Sequence, residues 1–348
     1  MMKRLFTFFL VVAMLFTLAV VFAACGNDKP AETTPAATTT TKPPKGVTVP
    51  KEPKGTEEDP FLINNADELK ELVKKFKTKD YSGKIFRLTA DIQLNDTSVD
   101  GWYDKEDAYV WPSLDGFAST LDGAGHTIDG LLIKGEMKAG GSSFGFVTNS
   151  KNAVLKNINF SHGYVKVPND PENGGVSKAD GAPSAGFLCG SGTSITVENC
   201  IAHVIFDCPK AYGVAPIGYI NGSISISNTL LIPAYTVTPA GFGSLASGGG
   251  SLTVTNVLIA GKEKGVHWTG GFVTTNVYKL GDTWVGYEGT LTGVGEAASI
   301  LGDAAKGKLT GFDFEKDWIA VSYDGAGYLP VPKVFADISQ LYLPIELK

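Results

Sequence analysis

Aromatic side chains grouped in two polar stretches are the residues best suited to recognise a ligand. One stretch spans residues 102–111 and the other spans residues 268–287. Aromatic faces with polar neighbours suit sugar rings and protein partners alike. Burial beneath these loops is the alternative for Trp111 and Trp284. The residues that we predict to contact a ligand are Trp102, Tyr103, Tyr109, Trp268, Trp284 and Tyr287.

Acidic side chains raise a second kind of chemistry, the binding of a cation. The acids that crowd residues 96–107 are Asp96, Asp100, Asp104, Glu106 and Asp107. Carboxylate oxygens are ligands that Ca²⁺ prefers, so this loop is a candidate calcium site. A solvated acidic loop is the alternative. We otherwise predict no metal and no cofactor.

The histidines argue against a zinc metallopeptidase. None of His126, His162, His203 and His267 is followed by Glu, so the HExxH motif is absent from the sequence. We expect His126 to serve packing or turn chemistry and the other three to be isolated. Carboxylates, which acid–base cleavage of a polysaccharide requires, are sparse in the repeats described below. No catalytic residue is therefore predicted, although the sequence leaves an enzyme open.

Three cysteines remain once Cys25 is set aside, namely Cys189, Cys200 and Cys208. The sequence has no CxxC pair, so zinc and redox motifs are unsupported. Cys200 falls at a mostly apolar repeat position, which predicts packing as a small apolar side chain. A disulfide between Cys189 and Cys208 is the alternative to three free thiols.

The composition favours short strands joined by many turns. Charged residues make up 19% of the chain and glycine supplies 42 of its 348 residues, a pattern typical of strands and turns rather than of a helical bundle. The net charge of −6 argues against a nucleic-acid partner, because such proteins carry clustered Lys and Arg.

The N-terminus has the pattern of a bacterial lipoprotein. Lys3 and Arg4 precede an apolar run that ends in small residues just before Cys25. We predict a signal peptide over residues 1–24, lipidation of Cys25, and a disordered Thr- and Pro-rich spacer over residues 25–58. An uncleaved membrane anchor is the alternative, because about 18 apolar residues suffice to span a bilayer. The predicted location is the extracellular face of the cell membrane.

Five segments of the central chain can be laid over one another. They span residues 127–133, 154–160, 196–202, 225–231 and 253–259. Their fourth position holds Gly130, Asn157, Asn199, Asn228 and Asn256. The position two residues earlier is apolar in all five segments, and its neighbours are mostly polar. The fourth positions are separated by 27, 42, 29 and 28 residues.

This alternation predicts strands with one buried face. A return after about 28 residues predicts one coil of a solenoid, with successive coils stacked ~4.8 Å apart. We expect Asn157, Asn199, Asn228 and Asn256 to form a ladder at a bend. The predicted fold is all-β, a right-handed, single-stranded parallel β-helix over residues 59–348. A β-sandwich is the alternative.

A helix is predicted near the start of this domain, where it would cover one open end of the solenoid. Asn65 is a favourable N-cap, and Glu68 three residues later completes a capping-box pattern. Apolar residues then recur at helical spacing from Leu69 to Phe76. The sequence therefore predicts an N-terminal capping α-helix.

An ordered series of motifs resembles a family of Gram-positive surface proteins. The motifs lie at residues 55–56, 59–63, 86–94, 111–112, 120–128, 311–314 and 327–330. They are similar to surface lipoproteins with GLUG-type repeats and to the parallel β-helix region that precedes the catalytic domain of IgA-specific metallopeptidases. The resemblance implies display on a Gram-positive cell and, in many members, adhesion or glycan contact. It assigns no reaction, because a fold does not fix a function.

These observations together predict a lipid-anchored cell-surface protein that acts as a non-catalytic adhesin or glycan-binding module. The expected partners are glycans or proteins of the cell surface or of a host, and the membrane through the lipid on Cys25. Two alternatives stay open. One is a polysaccharide-degrading lyase or glycosidase built on a β-helix, and the other is a structural surface scaffold.

Overall fold

The structure of this protein is a computed structural model in which residues 52–348 form one unit. It describes residues 52–135, 143–167, 184–209, 211–236, 241–242, 245–260, 267–268, 271–280, 295–296, 309, 311–323 and 327–338. The predicted signal peptide, Cys25, most of the spacer, Trp284 and Tyr287 lie outside these residues. Within them, no helix has both the length and the apolar character needed to cross a membrane.

Strands dominate the described residues. The first eleven strands are β1 Phe61–Ile63, β2 Ile85–Leu88, β3 Ile92–Gln93, β4 Leu114–Asp115, β5 Thr120–Asp122, β6 Thr127–Asp129, β7 Leu132–Lys134, β8 Ser143–Phe144, β9 Val147–Thr148, β10 Ala153–Lys156 and β11 Asn159–Lys166. The other ten are β12 Ser184–Glu198, β13 Ile201–Asp207, β14 Tyr212–Tyr235, β15 Gly241–Phe242, β16 Ala246–Ala260, β17 His267–Trp268, β18 Gly271–Leu280, β19 Gly295–Glu296, β20 Trp318–Tyr323 and β21 Gly327–Pro332. Helical structure comprises α1 Ala66–Phe76 and the 3₁₀ turns Trp102–Asp104 and Lys333–Phe335.

Strands β1 to β19 join one large sheet with parallel pairing, and β20 and β21 form a separate antiparallel pair. Ladder A runs through β1, β2, β5, β10, β12, β14, β16 and β18. Ladder B runs through β3, β6, β11, β13, β14, β16, β18 and β19. Ladder C runs through β4, β9, β12, β14, β16 and β17. The fold is therefore all-β, with a large curled parallel sheet.

Like residues lie over like residues along ladder A, and this stacking builds the core. Leu155 pairs with Leu121 on one side and Val197 on the other. Ile226 and Val254 continue the same row, and the side chains of the whole row are almost completely buried. Each such side chain stabilises the fold by roughly 1.5–3 kcal/mol relative to exposure. The polar residues between them are mostly partly exposed, as the period-2 alternation predicts, with Asp122 as a buried exception.

Asparagines occupy the bend that follows ladder A. Asn157, Asn199, Asn228, Asn256 and Asn276 all have φ between 45° and 56°, a left-handed conformation that Asn tolerates better than most residues. Asn199 donates from Nδ2 to Oδ1 of Asn157 at 3.1 Å. Asn256 donates likewise to Asn228 at 3.0 Å, and Asn276 donates to Asn256 at 2.9 Å. Asn276 thus extends the column beyond the four residues named from the sequence.

The prediction is wrong for the first of the five superimposed segments, residues 127–133, which does not align with the other four in the sheet. Residues 154–156 pair with residues 120–122, whereas residues 127–129 belong to ladder B. Asp122 therefore begins the column, and its Oδ1 accepts from Nδ2 of Asn157 at 2.9 Å. Gly123, not Gly130, precedes the asparagines. The error arises because Thr-Leu-Asp-Gly and Thr-Ile-Asp-Gly stand seven residues apart.

Helix α1 forms as its sequence predicts. The Asn65 side chain accepts from the backbone N–H of Glu68 at 3.0 Å, and the Glu68 carboxylate accepts from the backbone N–H of Asn64 at 2.8 Å. The bonds that the Glu68 carboxylate accepts, chiefly from Asn64, lower the pKa of Glu68. Leu69 and Leu72 are buried in the same core as the ladder A side chains.

Candidate functional site

A groove of about 410 Å³ lies between the 95–111 loop and the strands of ladder B. We call it the aromatic groove. Its described lining comprises Thr97, Val99, Asp100, Gly101, Trp102, Tyr103, His162, Gly163, Tyr164, His203 and Ile205. The groove thus joins two residues predicted to contact a ligand, Trp102 and Tyr103, to residues of β11 and β13 that lie about 60 and 100 positions further along the chain.

Stacked aromatic rings form one wall of the aromatic groove. Tyr103 lies on Tyr164 with ring centroids 3.7 Å apart and planes inclined by 9°. Trp102 meets Tyr103 edge-on at 5.8 Å, and only 8% of its surface is exposed. Trp102 is buried in a cluster with Leu132 and Tyr164, whereas Tyr103 is half-buried and presents more of its ring. Burial raises the pKa of Tyr164 far above its ordinary value, which keeps that phenol protonated.

Polar contacts hold the 95–111 loop against the sheet. The Asn95 side chain donates to the backbone carbonyls of Tyr109 at 3.0 Å and Gly130 at 2.8 Å, and it accepts from the Tyr109 N–H at 2.7 Å. Nζ of Lys166 donates to Oδ1 of Asp104 at 2.6 Å. This bond raises the pKa of Lys166. The loop is therefore a wall that β11 and Gly130, the residue after β6, anchor.

The floor of the aromatic groove carries an acid–imidazole pair. His162 occupies a bulge of β11 with φ of 47°, where the register with β13 shifts. Its Nδ1 lies 2.6 Å from Oδ1 of Asp129 and 3.0 Å from the hydroxyl of Ser161. The other carboxylate oxygen of Asp129 accepts from the hydroxyl of Thr97 at 2.8 Å. Asp129 thus orients His162 and fastens the loop through Thr97.

His203 lies beneath His162 and is almost fully buried. Its Nδ1 accepts from the backbone N–H of His162 at 3.1 Å, so a neutral His203 carries its proton on Nε2. Burial, together with the nearby His162, lowers the pKa of His203 to about 3. The two rings lie 6.0 Å apart in an edge-on arrangement. The expectation that these histidines are isolated is therefore wrong, because the bulge brings together residues 41 positions apart.

The remaining residues predicted to contact a ligand lie elsewhere. Tyr109 is half-buried, with Nζ of Lys70 4.4 Å above its ring. Trp268 lies in β17 beside Gly248, and its side chain is not described. Trp284 and Tyr287 fall outside the described residues. Trp111 is buried, which confirms the alternative given for it above, and it donates from its indole nitrogen to the carbonyl of Phe146 at 2.9 Å.

Two of the five carboxylates in the acidic 96–107 loop, those of Asp96 and Asp104, are engaged by polar partners. Oδ1 of Asp96 accepts from the N–H and the hydroxyl of Ser98 at 3.1 and 2.5 Å, which lowers the pKa of Asp96. Asp104 is engaged by Lys166. Among the described residues, no group of three or more His, Cys, Asp or Glu is placed to hold a metal ion. A Ca²⁺ site at this loop stays a prediction.

The three described cysteines are free thiols buried in the core. Sγ of Cys189 lies 3.3 Å from the Ser150 hydroxyl, and Sγ of Cys200 donates to the carbonyl of Glu198 at 3.3 Å. Burial raises the pKa of Cys189 and Cys200 to about 12 and that of Cys208 further. These side chains pack as apolar residues, and Cys189 and Cys208 are not bridged.

Comparison with known proteins finds no matching family model, no significantly similar curated protein and no significantly similar solved structure. The aromatic groove must therefore be interpreted from its own chemistry.

Proposed function

We propose that this protein is a cell-surface, non-catalytic glycan-binding module and that the aromatic groove is its binding site. The observation that carries the proposal is the joining of an aromatic wall to a polar floor in one groove. A sugar ring has an apolar face that stacks on an aromatic ring and hydroxyl groups that exchange hydrogen bonds with polar side chains. Tyr103 supplies the ring, while His162 and Thr97 supply the polar groups.

A fixed site binds more tightly than a mobile one, because less entropy is lost on binding. The stacking of Tyr103 on Tyr164 and the bond from Lys166 to Asp104 hold the wall in place before a ligand arrives. The floor is fixed by the bonds that Asp129 makes to His162 and Thr97. The aromatic groove therefore has the preformed character expected of a binding site.

The same proposal includes the architecture that displays the site. In it, ladders A, B and C close into a right-handed parallel β-helix, as in the Gram-positive surface lipoproteins that the motifs resemble. The parallel pairing of all three ladders supports this closure. A signal peptide over residues 1–24 and lipidation of Cys25 then tether the protein to the outer face of a Gram-positive cell membrane. Residues 25–58 serve as the spacer.

The binding proposal is tested with the full-length chain purified in mild detergent and passed over immobilised polysaccharides, including cell-wall glycan. We expect retention without release of soluble fragments. Tyr103→Ala is expected to weaken retention, whereas Tyr219→Ala, which removes a half-buried tyrosine outside the groove, should leave retention unchanged. Equal retention of both variants, or no retention of the wild-type chain on any glycan, would overturn the assignment of the groove.

A polysaccharide-degrading enzyme is the second candidate, because a carboxylate that orients an imidazole is an arrangement used for proton transfer. The separation of 2.6 Å between Asp129 and His162 is the observation that favours it. Release of soluble fragments by the wild-type chain, lost in His162→Ala, would establish this function. The absence of both retention and fragments would favour a structural scaffold.

The tether is tested separately by Cys25→Ala. We expect this variant to leave the membrane fraction while the domain keeps its fold by circular dichroism. Unchanged membrane retention would show that the apolar run itself is the anchor.

A further inference from the structure

The charged residues around the aromatic groove indicate which charge its ligand can carry, a property that the aromatic wall does not determine. Asp100 is an exposed carboxylate that lines the groove, and Asp129 contacts the lining residue His162. Asp96, Glu106 and Asp107 lie in the same loop and are also exposed. At physiological ionic strength the Debye screening length is about 8 Å, so an extended charged ligand in the groove would interact electrostatically with several of these carboxylates.

The described lining of the groove contains no lysine or arginine. Lys166 is held at 2.6 Å by Asp104. His203 is uncharged, because burial keeps its pKa near 3. Nδ1 of His162 lies 2.6 Å from Oδ1 of Asp129, so a carboxylate already engages this imidazole. An anionic sugar that enters the groove would therefore meet Asp100 without a free cation among the described lining residues to offset it.

We propose that the glycan bound by the aromatic groove is uncharged or carries amino groups, and that Asp100 discriminates against uronic-acid and other anionic polysaccharides. This inference rests on the proposed function and names the ligand class of the same site. A ring with an apolar face stacks on Tyr103, and Asp100 attracts an ammonium group or repels a carboxylate. Discrimination thus comes from an unfavourable contact with the wrong ligand as well as from a favourable one with the right ligand.

The test compares three hexasaccharides of equal length that differ in charge. They are β-1,4-linked glucosamine, β-1,4-linked N-acetylglucosamine and α-1,4-linked galacturonate. Affinities of the full-length chain are measured by microscale thermophoresis at low salt. We expect the amino sugar to bind about two- to fivefold more tightly than its acetylated form, the effect of one exposed ion pair, and the uronate to bind most weakly. These ratios should shrink as salt is raised.

Two charge-reversal variants test whether the preference between ligands depends on Asp100 or on the net charge of the loop. Asp100→Lys should reverse the preference between the amino sugar and the uronate. Glu106→Lys makes the same charge change in the same loop outside the described lining and should alter the preference less. Equal effects of both variants would show that net charge and not the groove discriminates, and would overturn the inference.

Failure of the inference and failure of the proposed function give different results. If the wild-type chain binds glycans but binds the uronate as tightly as the other two, only the ligand class is wrong. If it binds none of the three hexasaccharides and is not retained on any polysaccharide, the glycan-binding function is wrong as well.

Discussion

Replacing one asparagine of the bend column tests how neighbouring strands of ladder A are held together. Asn199 combines a left-handed φ of 49° with a side-chain hydrogen bond of 3.1 Å to Asn157 and a backbone bond of 3.1 Å to the carbonyl of Ser227. The backbone bond survives any substitution except proline. The conformation and the side-chain bond are the two features that a substitution changes.

Two variants separate these features. Asn199→Gly keeps the left-handed backbone and loses the side-chain bond, which contributes about 0.5–1.5 kcal/mol. Asn199→Ala loses the same bond and also places an alanine in the left-handed region, at a further cost of about 1–2 kcal/mol. We therefore expect alanine to lower the free energy of unfolding by about 2–3 kcal/mol and glycine by about 1 kcal/mol.

The assay is urea unfolding followed by tryptophan fluorescence and circular dichroism at pH 7. Asn221→Ala, at an exposed asparagine outside the column, is the matched control and should change the free energy of unfolding by less than about 0.5 kcal/mol. The reasoning would be refuted if glycine destabilised the protein as much as alanine, or if neither variant differed from the control.

Three further predictions follow from the described contacts. Because the pKa values of Cys189 and Cys200 are about 12, both thiols should resist iodoacetamide at pH 8 in the folded protein and react in urea. The pKa of His203 falls from 6.5 to about 3 on folding, so the unfolded chain binds a proton that the folded chain excludes. The contribution of His203 to the free energy of unfolding is therefore fully present above pH 6.5. It should fall by up to about 1.4 kcal/mol per pH unit between pH 6.5 and pH 3, which urea unfolding at several pH values will measure. Lys166→Met breaks the bond to Asp104 and should lower stability by about 1 kcal/mol or less while speeding amide exchange in the 95–111 loop.

Each of these predictions has an outcome that contradicts it. Alkylation of the thiols in the folded protein would show that their burial is incomplete. A His203→Gln variant that keeps the wild-type slope between pH 7 and pH 5 would assign that slope to other groups. Unchanged amide exchange in Lys166→Met would show that Asn95 and Thr97 hold the loop without the Lys166 bond.

The strands, the bend and helix α1 were predictable from the sequence because each depends on a local pattern. The alternation of apolar and polar residues predicts the strands of ladder A, and the recurring asparagine predicts the bend at Asn199. The pair Asn65 and Glu68 predicts the start of α1. The first repeat was misplaced because both Asp122 and Asp129 follow a Thr-apolar pair and precede glycine. Pairing across the sheet, which no local pattern records, decides between them.

The aromatic groove was accessible only in part for the same reason. The crowding of Trp102 and Tyr103 pointed to the loop, but its partners His162 and Tyr164 lie about 60 residues away and reach it through ladder B. A bulge adds one residue to a strand, and here it turns His162 toward Asp129. The signal that would have located this site is a histidine in a strand whose repeat spacing is interrupted by one extra residue, as at His162.

The central claim is that the aromatic groove binds a glycan. Hydrogen–deuterium exchange of the full-length chain, with and without the glycan that retains it most strongly, tests this claim most directly. We predict that bound glycan slows exchange at residues 97–103 and 162–164 and leaves α1 and residues 219–221 unchanged. Protection confined to α1 or to residues 219–221, with no change at the groove, would contradict the account.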